Sequence, residues 1–123
     1  MAPRRSDHFL SSALCAAAAA AACGVPADAL RSARRGRANV AGARHLAVYL
    51  DHVAFGASLS ACARAFARDR ASVRHACARV EDRRDEENFD RAVAALEQAL
   101  RAQRRLIETI ASSFSSHPTG DDS

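Results

Sequence analysis

The chain has 123 residues, a formal net charge of +4, 18 basic residues that are all arginine, and 14 acidic ones. That length holds one domain of ordinary size, and an alanine-rich composition poor in β-branched and aromatic residues excludes a sheet protein. Prolines stand only at positions 3, 26 and 118, so none interrupts a helix between Ala27 and His117. With so many small side chains the core must be thin.

Residues 7 to 23 read as an alanine-rich helix, N-capped near Ser6 or Asp7 and stopped by Gly24 with Pro26 close behind. Met1 to Ala27 also has signal-peptide features: the pair Arg4-Arg5, an apolar run from Phe9 to Cys23, and a small-residue end at Val25-Pro26-Ala27. Asp7 and His8 interrupt its positive region, and an alanine run is too weakly apolar to span a membrane. Asp28 to Ala33 suits a short helical turn, and Arg34 to Asn39 a basic loop. The spacing of Leu46, Leu50 and Val53 predicts one helix from Ala41 to Phe55, ended by Gly56. Ser58 then caps a short helix to Phe66 that buries Leu59, Cys62 and Phe66. Asp69 caps a helix to about Arg83 with Val73, Cys77 and Val80 inward. A long last helix follows from Glu86 to Ser113, with Phe89, Val93, Leu96, Leu100, Ile107 and Ile110 inward. The tail after Ser115 is rich in Ser, Gly and Asp and has the composition of a disordered segment.

The charge is segregated. Residues 31 to 80 carry ten arginines against Asp51 and Asp69 alone, whereas residues 81 to 123 carry six arginines against ten acids. A basic middle with an acidic end is the footprint of a phosphate-binding surface. The four cysteines (15, 23, 62, 77) lack metal-ligand spacing, and Cys62 and Cys77 fall on apolar helix positions, where reduced thiols pack as small hydrophobes. The acids Asp82, Asp85, Glu86, Glu87 and Asp90 read as a solvated first turn that favours the helix dipole rather than as a metal or catalytic site. No phosphate-binding G-x-x-x-x-G-K-[ST] loop occurs and no nucleophile and base stand at motif spacing, so the chain reads as a non-enzyme without a cofactor.

Ser58 to Val80 has the form of a helix-turn-helix: two short helices with a tight break between them. In that motif the first turn of the second helix, here Asp69 to Ser72 with Arg74 next, enters the major groove. The segment Ala65-Phe66-Ala67-Arg68-Asp69-Arg70-Ala71-Ser72-Val73-Arg74-His75-Ala76 through Glu81 resembles the signature A-F-G-x-R-D-H-T-T-V-x-H-A-x-x-K-I-E of the C-terminal DNA-binding domain of the replication initiator DnaA. Asn39 to Leu50 is similar to that family's V-A-R-P-R-Q segment and the apolar helix behind it, and Ser58-Leu59-Ser60 to its S-L-P helix start. The resemblance covers about residues 20 to 85.

The resemblance implies roles for particular residues. Arg68, Asp69, Arg70, Ala71, Ser72 and Arg74 would lie along the recognition helix against bases and phosphates, with His75 keeping the family's histidine. Arg44 would hold backbone phosphate beside His45, Ser60 takes the place of the family's proline, and Arg35 and Arg37 lie in the loop that reaches the minor groove. Arg70-Ala71 replaces the family's His-Thr pair and Gly42-Ala43 its Arg-Pro. An arginine there can bond guanine N7 and O6, and Ala71 can touch a thymine methyl, which predicts a more guanine-containing site.

The fold class expected is all-α: a compact four- to five-helix bundle containing a helix-turn-helix. Residues 1–6 are expected to be disordered, 7–113 to form the domain with its last helix at 86–113, and 114–123 to form a disordered tail. The expected partner is double-stranded DNA in the cytoplasm, in transcription regulation or replication initiation, with no small-molecule substrate, cofactor, metal or membrane. A homodimer through the last helix stays open, as does the alternative of a helical interaction module that has lost DNA binding.

Overall fold

The computed structural model describes residues 5–31 and 38–115, and every regular element among them is helical. The expected basic loop at 32–37 and the chain ends at 1–4 and 116–123 lie outside the described residues. Helix α1 (Arg5–Cys23) ends at Gly24, whose φ of +70° turns the chain away without a Cβ clash. One 3-10 turn, Ala27–Arg31, leads towards α2 (Ala38–Tyr49). Helices α3 (Leu59–Ala65), α4 (Arg70–Arg83) and α5 (Glu87–Ser115) follow. The fold is an all-α bundle in which α3 and α4 form a helix-turn-helix.

Helix α2 packs on α1 along one side and on α4 along another, and α3 is seated against α4. Alanines make the α1–α2 contact close: Ala16, Ala19 and Ala20 face Ala43 and Ala47 in one buried cluster. Larger side chains fill the rest, with Leu30, Leu50, Phe66, Val73, Val93 and Leu100 fully buried. Helix α5 leans chiefly on α1.

The helix expected to run unbroken to Phe55 changes its winding at Leu50. Leu50–Ala54 is a π turn, in which the Phe55 N–H donates to the Leu50 carbonyl at 3.3 Å. Each residue in such a turn advances less around the axis, so the 3.6-residue pattern breaks. Val53, expected inward, is 43% exposed, and Asp51 is fully buried. Ser11 Oγ donates to Asp51 Oδ1 at 3.0 Å, His8 Nε2 lies 3.2 Å from Oδ2, and the Cys62 thiol makes a weak contact at 3.8 Å. One carboxylate thus joins α1, the π turn and α3. Burial raises its pKa above 3.8, and the His8 and Ser11 contacts offset part of that rise.

Each helix of the helix-turn-helix begins at a side-chain cap: Ser58 Oγ accepts from Ala61 N–H at 3.0 Å and Asp69 Oδ1 from Ser72 N–H at 2.7 Å. Between them the chain is one residue shorter than the signature A-F-G-x-R-D, and Ala67 takes a φ of +54° where that signature has glycine. The Arg68 N–H donates back to the Ala63 carbonyl at 2.9 Å, closing α3 with a C-terminal turn that needs this left-handed residue.

Helix α5 buries Val93 and Leu100, with Phe89 and Leu96 half-buried against the core. Ile110, also expected inward, is 46% exposed, beside Leu106 at 60% and Phe114 at 75%. Every described side chain from 108 to 114 is exposed, because the helix continues past the body it packs on.

Two outcomes are expected. Ala67→Gly should raise the urea unfolding free energy by about 1 kcal/mol, since relief of left-handed strain exceeds glycine's backbone entropy; a loss of stability would contradict the turn. For Asp51, folding raises the pKa, so its stabilising contribution is full below 3.8 and declines as pH rises through the folded value. Asp51→Asn should remove that slope, so wild type loses stability relative to the variant as pH rises above the ordinary carboxylate value of about 4. Parallel unfolding curves would rule out a buried, titrating Asp51.

Candidate nucleic-acid interface

Asp51 is sealed in the core and Asp69 caps α4, so the exposed arginines of α3 and α4 up to Arg79 have no other acid of residues 38–80 beside them. Arg44 comes from the middle of α2 and is only 7% exposed. Its Nε donates to the Leu30 carbonyl at 3.0 Å, which holds the 3-10 turn against α2. Its Nη2 is buried without a hydrogen-bond partner among the described residues. A buried guanidinium donor left unmatched is destabilising unless an acceptor arrives from outside.

That guanidinium borders a small cleft of about 130 Å3 between α2 and the first two turns of α4. His45, Arg68, Ser72 and His75 stand around it, over a floor that includes Val48 and Ala76. Arg68 Nη1 donates to its neighbour's carbonyl, Ala67 O, at 3.0 Å. Burial lowers the Arg44 pKa, and the Arg68 charge lowers it further. His45 meets His75 edge to face at 5.9 Å, and burial followed by the charges of His75, Arg79 and Arg44 lowers its pKa. Among the described residues no carboxylate lines the cleft. Its chemistry suits an anion such as a phosphate, which would accept from Arg44 and stabilise the charged form of every cation around it.

The sequence-predicted residues separate into groups. Arg44, His45, Arg68, Ser72 and His75 come together at the cleft. Arg70, Ala71 and Arg74 are exposed on α4, since Val73, Ala76 and Val80 occupy its inward face. Asp69 is exposed, and its hydrogen bonds with Ser72 hold its carboxyl below the usual range. Ser60 is exposed on α3 and does not line the cleft. Arg35 and Arg37 lie outside the described residues.

A positioning network escaped the sequence reading. Arg84, just beyond α4, donates to Tyr49 Oη at 3.0 Å and to Glu97 Oε2 at 3.1 Å, and pairs with Asp90. Tyr49 Oη donates in turn to Glu81 at 3.1 Å. The far end of α4 is therefore fixed to both α2 and α5. Asp90, read as part of a solvated acidic turn, is instead the partner that most raises the Arg84 pKa. Nothing in the sequence spacing marks that pair, because it forms across a helix corner.

The family described as bacterial dnaA protein helix-turn-helix matches residues 15–80, more than half of the chain. The chain belongs to that family. The match runs from within α1 to within α4, so it covers the second half of the alanine-rich helix and the cleft, and α5 lies outside the matched residues. No curated protein and no solved structure gives a match. DnaA helix-turn-helix domains bind DNA and are not catalytic. Among the described residues no group of three or more His, Cys, Asp or Glu side chains could hold a metal ion, and no helix is long and apolar enough to cross a membrane.

Arg44→Met separates folding from anion capture. It should leave the urea unfolding free energy within about 1 kcal/mol of wild type, because an apolar side chain replaces an incompletely bonded charge. Duplex affinity, read by fluorescence anisotropy, should fall about tenfold with a shallower salt dependence. Unchanged affinity would remove Arg44 from the interface.

Proposed function

We propose that the protein binds duplex DNA through this DnaA-type helix-turn-helix and acts in the cytoplasm on transcription or on replication initiation. Arg44 and Arg68 hold a backbone phosphate at the mouth of the cleft, with Ser72, His45 and His75 around it. Asp69 fixes the start of α4, and Arg70, Ala71 and Arg74 face the major groove. Ser60, at the start of α3, lies towards the backbone, and Arg35 and Arg37 reach the minor groove from their loop. The observation that carries this reading is the unmatched Arg44 Nη2 beside an acid-free cleft at the start of α4. Arg70-Ala71 in place of the family's His-Thr shifts the preferred site towards guanine.

The test is anisotropy of the purified chain with a DnaA-box duplex, a scrambled duplex and a site selected from random sequence, across a salt series. Affinity should fall steeply with salt for every duplex. The selected site should contain guanine opposite Arg70, and Arg70→Ala should cost about tenfold on it and less on the scrambled duplex. A selection that returns the unaltered box would refute the shifted specificity, and no binding at low salt would refute the function.

A second reading draws on the exposed Leu106, Ile110 and Phe114 on the free end of α5. They recur every four residues, the spacing of a helix–helix seam. A second copy of the chain laid along this stripe would make a homodimer. Sedimentation should then show a dimer that Phe114→Glu dissociates. A dimer that binds no DNA would favour an interaction module over a DNA reader.

A further inference from the structure

A second, larger cleft of about 650 Å3 opens between the C-terminal half of α4 and the start of α5. It exists because α5 leans chiefly on α1, and because the facing part of α2 has no bulk at Gly42. A Cβ built on that glycine would meet no atom within 4 Å. The floor is apolar, formed by Leu46, Val80, Val93 and Leu96. The charged groups at its edge are the guanidinium groups of Arg79 and Arg83, which stand there with the His45 imidazole, and among the described residues no carboxylate lines the cleft. The Arg83 guanidinium lies 3.9 Å from the centre of the Phe89 ring, so it is held at the mouth rather than swinging in water. The volume falls in the range of small-molecule sites, about 300–1,000 Å3, which combine an apolar lining with a few placed polar groups.

We propose that this cleft is a binding site for a small amphipathic carboxylate, its apolar body on Leu46, Val80, Val93 and Leu96 and its head on Arg79 and Arg83. The charge pattern selects the class. A neutral apolar molecule would leave the two guanidinium groups unused, and a cation would be repelled by them. The wall formed by Val93 and Leu96 lies beyond the family-matched residues 15–80. A bound ligand bridges α4 and α5 and stabilises the fold by mass action. The sequence alone gives no sign of it, because its walls come from four helices.

The experiment is calorimetric titration and thermal melting of the full chain with decanoate and with decanol, below their aggregation concentrations. Decanoate should bind at one site and raise the melting temperature, and decanol should bind about tenfold more weakly. Gly42→Leu starts from a Cβ position open towards the cleft, projects its side chain into it and removes a glycine from a helix interior, so it should melt at or above wild type and lose decanoate binding. Arg79→Gln with Arg83→Gln should weaken decanoate about tenfold and leave decanol unchanged. Equal binding of decanoate and decanol, undiminished binding by Gly42→Leu (the mark of adsorption to the exposed end of α5) or no binding to wild type would each overturn the site.

Discussion

A carboxylate removed from water must be hydrogen-bonded, and Asp51 draws its partners from helices on either side of its own. Ser11 and His8 approach from α1 and Cys62 from α3. Alanine is the commonest residue of the surrounding core, and its side chains allow close helix contact and specify little about rotation or register. A buried polar contact specifies both, because any slip leaves the carboxylate unpaired. The π turn brings Asp51 to that position. Through it, α1 and α3 are set relative to α2, and α3 in turn seats α4.

The opposite end of α4 is fixed by a different kind of contact. Arg84 joins Tyr49 of α2 to Asp90 and Glu97 of α5, so the recognition helix is held at both ends while its outer face carries no structural duty. Arg70, Ala71 and Arg74 lie on that face. The arrangement divides labour within one helix: Val73, Ala76 and Val80 pack, the outward arginines remain in water, and the side towards α2 lines the cleft beside Arg44. From Glu81 onward acids predominate, in the last turn of α4 and beyond it, where Asp90 and Glu97 serve Arg84 and leave the first turns of α4 uncovered.

Local signals in the sequence located most of this. Ser58 and Asp69 announce helix starts because their oxygens cap N–H groups that would otherwise lack partners, and Gly24 and Gly56 announce stops because each takes a positive φ. The R-D-x-x-S-V-x-H-A run placed the recognition helix, whose first turn borders the cleft. What stayed hidden depends on contacts distant in sequence. The π turn has no composition signal, so the Leu46, Leu50 and Val53 spacing points Val53 inward and gives no sign of the buried Asp51. Ile110 continues the apolar spacing of α5 past the point where there is anything to pack on. The burial of Arg44 follows from the Leu30 carbonyl fourteen residues away, and no local pattern encodes it.

The most direct test of the account is a backbone amide NMR titration of the chain with a short duplex at low salt. Shifts should concentrate on Arg44, His45 and residues 68 to 75, with the far end of α5 unmoved. Shifts confined to α5, or spread thinly over all exposed arginines, would contradict a helix-turn-helix that reads DNA through the first turns of α4.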